Sequence, residues 1–126
     1  MKILVVDDEI PMTEFLKIEL EDCCPYLEVI PANSGYEALK RIMQGDIKLV
    51  ITDIAMPDMD GYELYQRTRD YDDKIPVIMM TGFGYDPSHI VVRSRQNGLQ
   101  DVVYKPLDLE KLFELIKKRI GGNVLE

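Results

Sequence analysis

Along the chain, short unbroken apolar runs alternate with stretches in which apolar residues recur every third or fourth position. Lys2-Ile3-Leu4-Val5-Val6 is the first run, and it ends on Asp7-Asp8-Glu9. The next stretch predicts a helix with Pro11 in its first turn, where a missing N–H costs nothing. Met12, Phe15, Leu16 and Leu20 form its apolar stripe. Leu27-Glu28-Val29-Ile30 reads as a second, weaker strand. Ser34 and Glu37 then stand at capping-box spacing, ahead of a helix that turns Ala38, Leu39 and Ile42 inward and ends at Gly45. The third run, through Leu49-Val50-Ile51-Thr52 to Asp53, has the pattern of a strand buried on both faces. It breaks into Met56-Pro57-Asp58-Met59, and Asp60-Gly61 starts a third helix carrying Tyr62, Leu64 and Tyr65. Ile75 to Thr81 is the fourth strand, with Pro76 among its first residues, where a missing donor is tolerated. Past the loop Gly82-Phe83-Gly84-Tyr85, Asp86-Pro87 opens a weakly amphipathic fourth helix (Ile90 to Arg95), which Asn97-Gly98 stops. Asp101 to Lys105 is a fifth strand, and a final helix capped by Asp108 keeps Leu109, Leu112, Phe113, Ile116 and Ile120 in helical register.

Strands and helices thus alternate five times with no long insert. That order predicts an α/β fold: one parallel sheet with helices on both faces. The 126 residues suit a single domain, expected over residues 1–121, with 122–126 as a tail whose Leu125-Glu126 reads as a cloning remnant. An apolar content of 46% beside 30% charged residues is that of a globular chain. No apolar run approaches the ~20 residues of a membrane span, and the first run meets acid too early for a signal peptide. The expected location is cytoplasmic, without membrane contact. A net charge of −8 opposes nonspecific nucleic-acid binding. Cys23 and Cys24 are adjacent, so their Cα atoms lie closer than a disulfide normally spans, and both are expected as reduced thiols. The methionines are scattered core filler, and His89 reads as a surface residue.

In a parallel sheet the carboxyl ends of all strands emerge on one edge, where open α/β sheets bind their ligands. Here those ends are Asp7 and Asp8, Asp53, Thr81 and Lys105. If three carboxylates converge within about 4–5 Å, each pair repels by roughly 3–4 kcal/mol at an effective dielectric of 20. One lysine offsets one charge, and a divalent cation balances the remaining two. An all-oxygen set without His or Cys selects a hard ion, Mg²⁺ with Mn²⁺ as the substitute. A cation, a lysine and a hydroxyl around one carboxylate form a cradle for a transferring phosphoryl group, with Asp53, central and solitary, as the nucleophile.

Val5-Val6-Asp7-Asp8-Glu9, Val50 to Gly61, Met79-Met80-Thr81-Gly82 and Tyr104-Lys105-Pro106 together resemble the CheY-like receiver domain of two-component response regulators, in order and over essentially the whole chain. The resemblance implies a flavodoxin-like (βα)₅ fold with strand order 2-1-3-4-5. It also implies phosphorylation on aspartate by a partner histidine kinase or histidine phosphotransfer protein. By position, Asp53 is the phosphoacceptor, Asp8 a direct Mg²⁺ ligand, Asp7 a ligand largely through water, and the backbone carbonyl of Ala55 completes the set. Thr81 and Lys105 contact the phosphoryl group. The family is a switch rather than a conventional enzyme, with Mg²⁺-dependent self-phosphorylation and self-dephosphorylation at most.

Receivers commonly carry an aromatic ring three residues before this lysine, and here Val102 stands there. Tyr104 shares its strand face, because side chains alternate with a period of two. Tyr104, or Phe83 or Tyr85 in the preceding loop, is therefore the expected replacement switch. Basic residues Arg93, Arg95, Lys111, Lys117, Lys118 and Arg119 gather on the last two helices, the face expected to meet an output protein or form a homodimer. Three alternatives are weighed against this reading. A phosphohydrolase of haloacid dehalogenase type uses a similar set but expects a second Asp where Ala55 stands. A flavin carrier could share the fold, but Asp7-Asp8 would repel its phosphate. The chain could also be a receiver module cut from a hybrid histidine kinase or a DNA-binding regulator.

Overall fold

The computed structural model describes residues 1–82 and 101–121. Five parallel strands form one sheet in the order β2-β1-β3-β4-β5. They are β1 (Lys2–Val6), β2 (Glu28–Ala32), β3 (Ile47–Asp53), β4 (Val77–Thr81) and β5 (Val102–Tyr104). The described helices are α1 (Ile10–Cys23), α2 (Gly35–Met43), α3 (Gly61–Tyr71) and, after β5, α4 (Leu109–Ile120). The helix expected over Ile90 to Arg95, with His89, Phe83 and Tyr85 near it, lies outside the described residues, as does the tail. No helix among the described residues is long and apolar enough to cross a membrane.

The unbroken apolar runs become strands because both faces of the sheet are covered. Leu4, Val6, Val50 and Met79 point to one side, against Ala38 and Ile42 of α2 and Leu64 and Tyr65 of α3. Ile3, Val5, Leu49, Ile51, Ile78 and Met80 point to the other, against Leu16 and Leu20 of α1 and Leu112 and Ile116 of α4. Each such fully buried aliphatic side chain contributes about 1.5–3 kcal/mol, so the two layers hold the strand ends rigidly in place.

The capping chemistry follows the sequence. Ser34 Oγ accepts from Glu37 N (3.0 Å), and the Asp60 carboxylate accepts from Glu63 N (2.8 Å). Asp108 accepts from Glu110 N and Lys111 N. Strand bounds move at four places. β3 begins two residues early at Ile47, and β5 is shortened at both ends to Val102–Tyr104. β2 begins at Glu28 and continues through Pro31 to Ala32, and β4 begins only at Val77. Pro76 has no N–H for the ladder but uses its carbonyl, which accepts from Val50 N at 3.0 Å. The α1 stripe needs one correction, because Phe15 is 44% exposed and Thr13 is buried instead. Thr13 tolerates burial because its hydroxyl is satisfied, donating to Ile10 O (3.0 Å) and accepting from Asn33 Nδ2 (3.1 Å).

Candidate functional site

At the carboxyl edge of the sheet, β1 delivers Asp7 into full burial. Asp7 N donates to Ala32 O (3.1 Å), and Asp7 Oδ1 accepts from Glu9 N (2.9 Å). Asn33, just past β2, donates to the Asp7 carbonyl (2.9 Å), so β1 and β2 are tied at their ends. Asp8 turns out to solvent. Asp53 is the last residue of β3 and is 7% exposed.

The loop after β3 is held closed by backbone bonds. Ile54 N donates to Met80 O (3.0 Å), Gly61 N to Ile54 O (2.8 Å) and Met59 N to Pro57 O (2.8 Å). Asp58 turns the chain with φ +68°. Met59 is fully buried against Gly35, where a β-carbon would come within 2.7 Å of the Met59 Cβ. The loop is thus pinned to the start of α2, and Ala55 remains exposed two residues beyond Asp53.

One carboxylate oxygen from each of Asp7, Asp8 and Asp53 lies within 4.8 Å of the others. Lys105 follows β5, and its backbone N–H donates to Thr81 O (2.8 Å). Its Nζ reaches back across the edge to Asp7 Oδ2 at 3.1 Å and Asp53 Oδ1 at 3.3 Å. Thr81 ends β4, buried, and is paired in register with Tyr104. Sequence reasoning therefore named residues from four strand ends that meet: Asp7, Asp8, Asp53 and Lys105 in direct contact range, with Thr81 beside them. It missed three supports. Asn33 holds the Asp7 carbonyl, Thr13 accepts from the Asn33 amide and so orients it, and Gly61 lets α3 approach β3. An Asn directly after a strand was the available signal for the first, whereas the other two act through contacts that no local pattern reports.

The electrostatics are those of an unbalanced acidic site. Burial pushes Asp53 above the ordinary carboxylate value; Lys105 draws it back, and the charges of Asp7 and Asp8 push it up again. Burial opposes the Lys105 ammonium, but its hydrogen bond to Asp7 and the charges of Asp53 and Asp7 carry the net shift upward. Lys105 is therefore a fixed cation. Three clustered carboxylates against one ammonium leave the donor set short of positive charge, which an oxygen-seeking divalent ion fits.

Of the three candidate switch aromatics, Phe83 and Tyr85 lie outside the described residues. Tyr104 is 46% exposed and lines a groove of about 640 Å³ with Pro106, Lys111, Glu114 and Lys118. Of the basic residues on α4, Arg119 is turned inward, its guanidinium forked onto the buried Asp101.

A family profile described as the response regulator receiver domain matches residues 3–117. The chain is 32% identical over 126 residues to chemotaxis protein CheY1 of Helicobacter pylori, covering 98% of this chain and 99% of that protein. It is 36% identical over 110 residues to the transcriptional regulatory protein ZraR of Klebsiella oxytoca, covering 87% of this chain. It spans only 24% of ZraR and 57% of the regulator YdfI of Bacillus subtilis. Among solved structures, a receiver domain protein from Clostridium thermocellum superposes with TM-score 0.86 at 28% identity, covering 97% of this chain and 95% of that one. The response regulator TrrA of Thermotoga maritima, in complex with Mg²⁺-BeF, superposes with TM-score 0.79 at 33% identity, over 94% and 97% of the two chains.

Proposed function

Because the chain belongs to the response regulator receiver domain family, we propose that it accepts a phosphoryl group on Asp53 from a phosphohistidine of a partner kinase or phosphotransfer protein. An Asp53 carboxylate oxygen attacks phosphorus, a P–O bond forms, the P–N bond breaks, and the electron pair returns to the imidazole nitrogen. Lys105 Nζ, already 3.3 Å from Asp53 Oδ1, pairs with a phosphoryl oxygen, and the Thr81 hydroxyl donates to another. Asp7, held by Glu9 N and Asn33, and Asp8 would hold Mg²⁺ (or Mn²⁺) together with Asp53 and the Ala55 carbonyl. When bound, the ion supplies the positive charge that the phosphoryl oxygens and the carboxylates lack. That the similar TrrA is solved in complex with Mg²⁺-BeF supports a Mg²⁺ site here.

One observation carries the reading: Asp7, Asp8 and Asp53 converge within 4.8 Å with Lys105 bridging two of them. The haloacid dehalogenase alternative draws no support from the comparisons. The phosphoryl group would bias a two-state equilibrium through Thr81 and Lys105, with Tyr104 as the reporting ring, in a cytoplasmic relay. The output partner or second copy would meet the face that includes α4, where Lys111 and Lys118 border the groove. The test is a mass gain from acetyl phosphate or phosphoramidate that requires Mg²⁺ and disappears in Asp53→Asn. Modification that persists in that variant overturns the assignment.

A further inference from the structure

Far from the acidic edge, α1 ends on Cys23, which is exposed, and Cys24, which is buried in the layer with Leu20, Leu27 and Ile116. Neighbouring side chains on a helix normally diverge. Here Cys24 is the helix C-cap and has turned extended (φ −134°, ψ 96°), and the two Sγ atoms come to 3.4 Å. Both thiols are free, and a direct disulfide would require the sulfurs to close to about 2.04 Å across adjacent Cα atoms.

A single bridging atom needs no such closure. Two bonds of about 2.3 Å, the length of a metal–thiolate bond, span about 3.3 Å when they meet near a right angle and about 3.8 Å at a tetrahedral angle. The observed separation fits the first. Near-right-angle, pyramidal bonding to two sulfurs is the geometry of trivalent arsenic, and a monosubstituted arsenical is saturated by two thiols. A zinc ion would want four donors. We propose that Cys23 and Cys24 form a chelating dithiol site for a monosubstituted trivalent arsenical. The step is balanced without any oxidant. Two As–S bonds form, two As–OH bonds break, each thiol proton leaves with a hydroxide as water, and arsenic stays trivalent. Burial, then the contact with Cys23, pushes the Cys24 thiol up to about 11, so Cys24 enters protonated and its proton departs in that water. Exposed Cys23 makes the first bond, and Cys24 closes the ring from a sulfur already in place.

The probe is phenylarsine oxide on the full chain, followed by removal of excess reagent and intact mass measurement. The expected product carries one phenylarsenic group and has lost two thiol hydrogens. A monothiol should strip it slowly, whereas Cys23→Ser should either take up no phenylarsenic or lose it about a hundredfold faster, since the second bond is intramolecular; 2,3-dimercaptopropanol should strip wild type readily. The adduct should also raise the thermal midpoint, because the ligand binds the native arrangement. Equal release from wild type and Cys23→Ser overturns the proposal, as does a lowered midpoint, or zinc displacing the arsenical at equal concentration. Cys23 is exposed, so its serine variant tests chelation without disturbing the core, even if Cys24→Ser fails to fold.

Discussion

Gly61 passes so close to Asp53 that a β-carbon on it would lie 2.4 Å from the Asp53 carbonyl oxygen and 2.9 Å from the Ile54 Cα. Those obstacles are backbone, so neither can rotate away. Gly61→Ala should therefore push α3 off the end of β3 and lower stability by about 1–3 kcal/mol, read as a shift of the urea midpoint. Asp53 should lose phosphorylation in the same variant. Gly82→Ala is the control: among the described residues nothing lies within 4 Å of its β-carbon position, and it should cost little.

The contrast between Gly61 and the acidic residues shows what a sequence exposes. Asp7, Asp8, Asp53 and Lys105 could be read because a parallel sheet sends every strand end to one edge, and an unbroken apolar run marks where a strand stops. The order of elements was legible for the same reason. Phe15 was not, because helical spacing alone cannot say that Asn33 and Ile10 would satisfy a buried Thr13 hydroxyl and leave the ring outside. Asn33 acts on the Asp7 backbone 26 residues away and Gly61 on the backbone at the end of β3 across a folded loop, and such contacts exist only after folding.

Lys105 stands between Asp7 and Asp53 as the one cation contacting either of them among the described residues. At 4.8 Å, two carboxylates repel by about 3 kcal/mol at an effective dielectric of 20. Lys105→Met should lower the thermal midpoint of the metal-free protein, and Mg²⁺ should restore more stability to the variant than to wild type. Phosphorylation from acetyl phosphate should fall steeply if Lys105 pairs with a phosphoryl oxygen as proposed. Equal Mg²⁺ effects in both proteins would show that Lys105 does not share the charge balance.

Tyr104 follows buried Val103 on β5 and pairs with Thr81 in register, on the strand face of Val102. If its ring reports phosphorylation, Tyr104→Ala should suppress the NMR shifts that beryllofluoride induces in α4 while leaving those around Asp53. Unchanged shifts in α4 would leave the ring a packing residue.

Glu21 ties α1 to β2. Its carboxylate accepts from Val29 N (2.8 Å) and Lys17 Nζ (2.9 Å), and these bonds, the first the stronger, hold it below the ordinary carboxylate value. A lowered folded-state value stabilises the protein above the unfolded value near 4.5, and that contribution is lost as pH falls through the folded one. Wild type should exceed Glu21→Gln in urea midpoint at neutral pH, with the gap closing below about pH 4. The side chain is 34% exposed, so salt should narrow the gap as well.

Arg119 clasps the last turn of α4 to Asp101, which precedes β5 and whose carbonyl also accepts from Met79 N at 2.9 Å. The fork raises the guanidinium further above its ordinary value, chiefly through the hydrogen bond to Asp101, so the arginine stays charged at any working pH. Truncating it leaves a carboxylate that is 8% exposed as a residue without its fork. Arg119→Met should cost about 1–3 kcal/mol, mostly from that unpaired group. Adding Asp101→Asn should recover part of the loss, because the stranded charge is gone. A double-mutant cycle in urea measures the coupling, and hydrogen exchange locates it: amides of α4 should open more readily in the single arginine variant than in the double. If the two losses simply add, the clasp is a surface contact and α4 is held by its apolar face, Leu112 and Ile116 at its centre.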